Sequence, residues 1–175
     1  MTLYSVILFL HLLGVLMLFA ALGIEWIYLR QLPLATSLDQ FRSWAGAVPL
    51  VSRFNAFAGP LIFFPGAYLA TKMKAWPQGW VSMALLAVVA IIALGAAVSG
   101  PPMRRLVKAS RSADAVLADL VGRARDRVFR LSFRLRLALG LAAVFLMGSK
   151  SPMGTSGIVM GVAVALGLLF GLAGK

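Results

Sequence analysis

The chain has 175 residues, of which 61% are hydrophobic and only 13% charged, and its mean hydropathy is +0.93. Average globular domains are about 45–50% apolar, so this composition excludes a water-soluble enzyme of the ordinary kind. The chain contains no cysteine, which excludes disulfides, thiolate metal sites and cysteine nucleophiles. Its formal net charge is +12, and its length suits one domain. We expect a single membrane domain over residues 1–175.

Long stretches with few or no charges predict an all-α, polytopic transmembrane helical bundle of five spans. A helix needs roughly 20 apolar residues to cross hydrocarbon about 30 Å thick. Arg134 and Arg136 lie at the start of the fourth span, where long side chains can extend to the interface. The predicted spans cover about 3–29, 54–73, 80–102, 131–149 and 157–173.

The distribution of positive charge predicts the orientation of the bundle. The connections after spans one and three hold three and ten Lys or Arg, against two and one after spans two and four. The positive-inside rule then places the N-terminus outside and the C-terminus inside, with Lys175 as a last inside charge. Trp76 and Trp80 at the outer turn, and Trp26 and Tyr28 near the inner end of span one, are typical of an interfacial aromatic belt.

The connection over residues 104–130 is basic, and its apolar positions recur at helical spacing. This pattern predicts an amphipathic helix on the inner side, with Ser112 as N-cap and Asp114 in its first turn. The helix is either a positive-inside anchor on the inner leaflet or a docking face for a partner or anionic lipid. No aromatic set for base stacking is interleaved, so we expect no nucleic-acid binding. The residues predicted to meet anionic lipids are Arg104, Arg105, Lys108, Arg123, Arg125 and Arg127.

His11 is the only histidine and lies roughly 7 Å from the middle of span one, at about 1.5 Å per residue. Tyr4, His11, Leu18 and Glu25 are seven residues apart and drift only about 20° per step, so they share one face, which we expect to point inward. His11 either ligates a haem iron or a copper ion, or donates a hydrogen bond to a neighbouring helix. A second axial haem ligand would be a methionine, a lysine or His11 of another copy.

Glu25 lies near the inner interface, and two interpretations of its role remain open. Arg30 or Arg53 could pair with the carboxylate and anchor the end of the span, or the carboxylate could take part in chemistry.

Span two contains two prolines, Pro60 and Pro65. Each removes an intrahelical hydrogen bond and frees a carbonyl, near Ala56 and Leu61 respectively. In a membrane such a carbonyl is satisfied by a neighbouring helix, water or a ligand. The span is therefore either simply kinked or lines a cavity, and its polar members are Asn55 and Tyr68.

Small residues predict close helix contacts in the last span. Gly157 with Gly161 and Gly167 with Gly171 form two small-xxx-small pairs on different faces, which favour a compact bundle and contacts between copies. The methionines do not form close pairs, and we interpret them as packing residues. Since there is no second histidine, glycine-rich lysine loop or carboxylate pair, we expect no conventional metabolic enzyme.

Several short motifs resemble those of small bacterial integral membrane proteins of the CopD and HemJ type. The motifs are Phe9–Val15 with Trp26–Arg30, Pro60 with Pro65–Ala70 and Trp76, and Leu146–Pro152, which is similar to a Met-x-x-Lys-Pro closing. A Trp-x-Gly-Gly pattern is replaced by 17–21, and Ser151 separates Lys150 from Pro152, which favours a related group without assigned function. The resemblance implies a four-helix core plus a C-terminal span in a bacterial inner membrane. It also implies a first-helix histidine, here His11, associated with haem and protoporphyrinogen oxidation in the HemJ branch, whereas CopD relatives handle copper.

Three functions follow as hypotheses. In the first, the protein binds haem b, or less readily copper, through His11 for electron transfer or cofactor handling. In the second, it is a non-catalytic subunit or scaffold of a homo-oligomer or membrane complex. In the third, it is a small transporter or channel lined by His11, Glu25, Asn55 and the proline-containing second span.

Overall fold

A computed structural model describes residues 2–173 of the chain; Lys175, predicted to lie inside, is outside these residues. All regular structure in 2–173 is helical, and five helical units are long and apolar enough to cross a membrane, which confirms the predicted fold class at that level. The helices are α1 (Leu3–Gln31), α2 (Leu38–Ala45), α3 (Ala47–Lys72), α4 (Gly79–Ala93), α5 (Gly100–Ser110), α6 (Leu117–Ala124), α7 (Arg127–Ser149) and α8 (Met153–Ala173). A 3₁₀ turn, Leu32–Leu34, follows α1, and a π-helical segment, Leu94–Ser99, joins α4 to α5.

Side-chain caps explain where several helices begin. The Thr2 side chain accepts a hydrogen bond from the Ser5 N–H, and Ser37 accepts one from the Gln40 N–H. Asp126 Oδ1 accepts the Val128 N–H at 2.9 Å. Because this acceptor satisfies a free donor of the first turn, α7 begins at residue 127 rather than near 131.

The helices pack in two groups that leave a gap between them. α1 packs along most of α3, while α7 packs between α4 and α8 and also touches α1. The α1–α3 contact depends on Gly14, since a Cβ there would lie 2.8 Å from Leu61 Cβ and 2.9 Å from the Ile62 backbone nitrogen. α3 and α4 make few direct contacts, so space remains between these two helices.

The prolines do not interrupt the second membrane helix. α3 runs without a break from Ala47 to Lys72 through Pro60 and Pro65. Neighbouring helices satisfy freed backbone groups in membrane helices, so a proline need not end the helix. Of the two interpretations, a kinked helix or one that lines a cavity, the second agrees with the structure, because Asn55, Ile62 and Gly66 of α3 line spaces beside it.

The basic connection is not one helix over 104–130. α5 continues from the third span and ends at Ser110, and residues 111–116 form a loop before α6. Ser112 and Asp114 lie in this loop, and the N-cap of α6 is Val116, whose extended backbone supplies no side-chain acceptor. The prediction of a single helix capped by Ser112 is therefore wrong. The helical periodicity is real in each piece, but α5 and α6 are separate.

The apolar faces of α5 and α6 are buried inside the protein. Leu106 and Leu120 are 3% and 1% exposed and belong to a cluster with Phe41, Leu32 and Tyr28, here called the Phe41 cluster. This cluster lies where the ends of α1 and α3 meet α2 and α5–α7. Tyr28 is therefore a core residue and not a member of an exposed aromatic belt.

The other predicted belt residues divide in the same way. Trp26 and Trp76 are 49% and 46% exposed, as an interfacial aromatic should be, whereas Trp80 is buried. The burial of Trp80 against α4 and α7 neighbours makes it part of the second core cluster.

Candidate functional site

The His11 cavity, of about 270 Å³, lies between α1, α3 and α4 and is also bordered by the end of α7. Most of its wall is aliphatic or aromatic, and few polar groups reach it. The residues that line it include His11, Gly66, Phe63, Trp76, Trp80, Val88, Tyr4, Met73, Met147 and Lys150. It is therefore an apolar cavity with one imidazole in its wall.

The His11 imidazole is fixed by one hydrogen bond between helices. Its ring is buried, and Nδ1 lies 2.9 Å from the backbone oxygen of Ile62 in α3. A carbonyl oxygen only accepts, so Nδ1 carries the proton and donates it. In the neutral ring the lone pair is then on Nε2, which makes no hydrogen bond to the described part of the chain. Nε2 is available to a ligand in the His11 cavity.

Gly66 permits this position of the imidazole. A Cβ at Gly66 would lie 2.9 Å from His11 Cε1 and 3.1 Å from Nδ1. Any side chain at this position would push the ring away from the Ile62 carbonyl. The sequence analysis missed both Gly66 and Ile62 as parts of the site. The only signal for them was the expectation that the proline-containing span leaves a carbonyl for a neighbour.

Further donor atoms line the His11 cavity. They belong to Tyr4, Met73, Met147 and Lys150, which come from three distant segments of the sequence. The methionines were interpreted as packing residues, yet two of them border the cavity. Within residues 2–173 no group of three or more His, Asp or Glu could hold a metal ion. Among the residues that line the His11 cavity, His11 supplies the imidazole and none is a carboxylate.

Glu25 pairs with Arg136 of α7, and the expected pairing with Arg30 or Arg53 is absent. Both side chains are buried, with 6% and 4% of their surfaces exposed. Arg30 instead lies over the Trp26 ring, 4.9 Å from its centroid. Arg136 was expected to extend to the interface, but a partner carboxylate on α1 holds it in the bundle, because a buried guanidinium requires a counter-charge.

A second space, here called the Arg136 cavity, lies between α3 and the π-helical segment. It measures about 300 Å³ and is joined by a smaller recess of about 50 Å³ through shared walls. Asn55 and Arg136 line both parts, and Glu25 lines the recess. Ile62 and Val88 line this cavity as well as the His11 cavity. They therefore form the boundary between the two spaces.

The predicted polar residues thus do not share one cavity. Tyr4 lies with His11, whereas Asn55 and Glu25 lie in the other space, beyond Ile62. Tyr68 borders neither cavity, and the Lys72 ammonium lies 5.7 Å from its ring centroid.

Comparisons of the chain with protein-family models, with curated proteins and with solved structures found no match. Functional inference therefore starts from the geometry of the two cavities.

Proposed function

We propose that the protein is a multi-pass membrane protein that binds haem b through His11 for electron transfer or cofactor handling. The observation that carries this proposal is the fixed tautomer of His11, whose Nδ1–H donates to the Ile62 carbonyl. Histidines that ligate metals usually donate their other ring N–H to a carboxylate or carbonyl, which orients the ring and leaves one lone pair for the metal. His11 has this arrangement inside an apolar cavity.

The size of the His11 cavity determines how haem would fit. Its volume of about 270 Å³ is just below the about 300–1,000 Å³ typical of small-molecule sites. A porphyrin would therefore be only partly enclosed and would extend past the exposed rings of Phe63 and Trp76. Lys150, which lines the cavity and is exposed, offers a positive charge for a propionate. Partial enclosure suits a protein that takes up and releases its cofactor.

Met73 and Met147 line the cavity with His11, and either thioether would be the second residue that holds the haem iron. Ligation by methionine together with histidine raises the reduction potential of haem. Bound haem would supply one-electron redox chemistry. The chain itself holds the imidazole, excludes water with an apolar wall and offers a cation at the mouth. Copper, the alternative metal, would use the same imidazole and thioether donors.

The proposed orientation places the N-terminus outside and the C-terminus inside a bacterial inner membrane. In this orientation the basic surface of α5, α6 and the start of α7 meets the inner leaflet, where anionic lipids attract exposed Lys and Arg. The structure supports this proposal in that all of the predicted lipid-contacting residues have exposed side chains: Arg104, Arg105, Lys108, Arg123, Arg125 and Arg127.

A difference spectrum tests the haem proposal. The protein is expressed with haem available and purified in detergent, and its reduced-minus-oxidised absorption spectrum is recorded. We expect a Soret band that shifts on reduction and is lost in His11→Gln, which keeps a donor for the Ile62 carbonyl. Leu12→Ala, at an exposed neighbouring position, serves as the control and should retain the band. A featureless spectrum of the folded wild-type protein would refute the proposal, as would a band that survives in His11→Gln.

The second candidate function is a non-catalytic subunit of a homo-oligomer or membrane complex. It is favoured by Gly154, Gly157 and Gly161 of α8, where an added Cβ would meet no atom within 4 Å. In contrast, Gly167 packs directly on Leu135 of α7. If the spectrum is featureless, co-purification from native membranes becomes the decisive experiment, and recovery of the chain alone as a monomer would refute this candidate.

The two cavities give little support to the third candidate, a transporter or channel. A path between them would have to pass Ile62 and Val88, which separate His11 from Asn55. Flux of protons or common cations no greater than in empty liposomes would exclude it.

A further inference from the structure

The Arg136 cavity holds more positive charge than its ion pair accounts for. Glu25 neutralises Arg136, but Arg104 also lines the cavity and forms no salt bridge with the part of the chain that the structure describes. Arg104 is an exposed residue, so this positive charge lies at the edge of the cavity and not inside the apolar bundle. Such a charge requires an anion or water in its vicinity.

The guanidinium of Arg136 also has an unused donor. Nη2 donates to Glu25, and Nε donates to the Ser132 carbonyl at 3.3 Å. Nη1 makes no hydrogen bond to residues 2–173, although the whole residue is only 3% exposed. Arginine cannot lose its proton in a protein. Nη1 is not one of the fully buried polar atoms that lack a partner, so it keeps accessible surface. Water or a ligand atom in the cavity can therefore accept a hydrogen bond from it.

The π-helical segment shapes the wall opposite this donor. Its Gly95 lies beside the guanidinium, where an added Cβ would be 3.4 Å from Nη1. The Leu94 carbonyl, at the start of the segment, accepts from the Ser99 hydroxyl at 3.3 Å and the Ser132 hydroxyl at 3.2 Å. The Leu94 carbonyl is therefore hydrogen-bonded by one side chain of the π-helical segment and one of α7. Single π turns within helices are frequent at functional sites.

The two ends of the Arg136 cavity differ in polarity. Ser52, Asn55, Arg104 and Arg136 line one end, nearer the basic surface of α5. The other end is lined by aliphatic side chains of three helices, Leu18 of α1, Ile62 of α3, and Val88 and Ile92 of α4. An apolar chain fits the second end, and an anionic group fits the first. A volume of about 300 Å³ suits a single chain rather than a whole two-chain lipid.

We infer that the Arg136 cavity binds an amphiphile that carries a carboxylate or phosphate head on a single aliphatic chain. The anionic head accepts hydrogen bonds from Arg136 Nη1 and is neutralised by Arg104. The chain lies along Leu18, Val88 and Ile92. Such a ligand is either a free long-chain acid or one chain of an anionic bilayer lipid. This site is independent of haem at His11.

Binding of defined amphiphiles to the full chain in an uncharged detergent tests the inference. The probes are palmitate, hexadecyl phosphate and, as an uncharged control, methyl palmitate; stoichiometry is read by native mass spectrometry and affinity by equilibrium dialysis. We expect one palmitate or hexadecyl phosphate per chain and no saturable binding of methyl palmitate. Equal binding of the ester would overturn the inference, as would the absence of any saturable binding.

Matched variants locate the site. Gly59→Leu places a side chain in the cavity, where an added Cβ meets only Ile92 Cδ1 at 3.8 Å, and should abolish binding. Gly23→Leu, at an open position on α1, should not alter it. Arg104→Gln should weaken binding by about two- to fivefold, as for an exposed ion pair, whereas Arg105→Gln outside the cavity should leave it unchanged. Equal effects within either pair would overturn the inference.

A double variant, Glu25→Leu with Arg136→Met, removes the guanidinium together with its counter-charge. We expect it to bind palmitate about ten- to a hundredfold more weakly, as for loss of a hydrogen bond to a charged group. Unchanged affinity in the folded double variant would refute the role of Arg136. Nanodiscs distinguish the sources: if phosphatidylglycerol displaces palmitate and phosphatidylcholine does not, the ligand is a bilayer lipid. If neither displaces it, the ligand is a free acid.

Discussion

Removal of one partner of the buried Glu25–Arg136 pair should severely destabilise the protein. Both side chains are almost fully buried and join α1 to α7. When one partner of a buried ion pair is removed, the remaining charge costs about 3–5 kcal/mol. Of the two single variants, Glu25→Leu should destabilise more, because Arg136 cannot lose its proton and stays charged in the core. In this variant Arg136 Nε keeps its hydrogen bond to the Ser132 carbonyl. A loss of this size is a large fraction of the about 5–15 kcal/mol that stabilises a typical protein.

The double variant Glu25→Leu with Arg136→Met should be more stable than either single variant. It leaves no unpaired charge, and apolar replacement of a buried ion pair is often neutral or stabilising. The assay is unfolding of the purified protein by SDS in mixed micelles with an uncharged detergent, followed by circular dichroism. Single variants within about 0.5 kcal/mol of the wild type, the usual range for surface changes, would refute the reasoning. So would a double variant whose loss equals the sum of the two single losses.

Three further predictions concern single contacts. Gly14→Ala should lower the free energy of unfolding by about 1–3 kcal/mol, because its Cβ would meet the α3 backbone. Gly23→Ala is the control and should not destabilise the protein, because a Cβ at Gly23 has open space. Both variants are measured by the same SDS titration. Asp126→Ala should cost about 0.5–2 kcal/mol and speed amide hydrogen exchange in the first turn of α7, and an unchanged exchange rate would contradict the cap. If haem is bound, Met147→Leu should shift its reduced band or lower its reduction potential. A spectrum and potential identical to wild type would exclude Met147 as a ligand of the iron.

Features set by local pattern were predictable from the sequence. Runs of about 20 apolar residues are sufficient to indicate five helices, and the structure confirms them. The inward face of α1 was predictable in part. Seven-residue spacing brings His11 and Glu25 to one side of a helix, and both are buried, whereas Tyr4 at the same spacing is 41% exposed. Periodicity along one helix depends only on the local sequence, so the buried face can be predicted without knowledge of the rest of the fold.

Contacts between distant parts of the chain were not predictable. Arg136 is 111 residues from Glu25, and nothing in either segment identifies the other as its partner. The break at residues 111–116 was missed because hydrophobic periodicity continues on both sides of it. The buried faces of α5 and α6 were also missed, since an amphipathic pattern does not reveal whether lipid or protein covers the apolar side.

The π-helical segment also fixes the rotational register between α4 and α5. Each residue turns an α-helix by about 100°, so one residue more or fewer in Leu94–Ser99 would rotate everything that follows by that angle. Leu106 would then leave the Phe41 cluster, and Arg104 would move away from Arg136. A single-residue deletion here therefore differs from a deletion in an exposed loop. It would shorten the span by only one residue and leave it apolar, but it would change which residues face each other at its end.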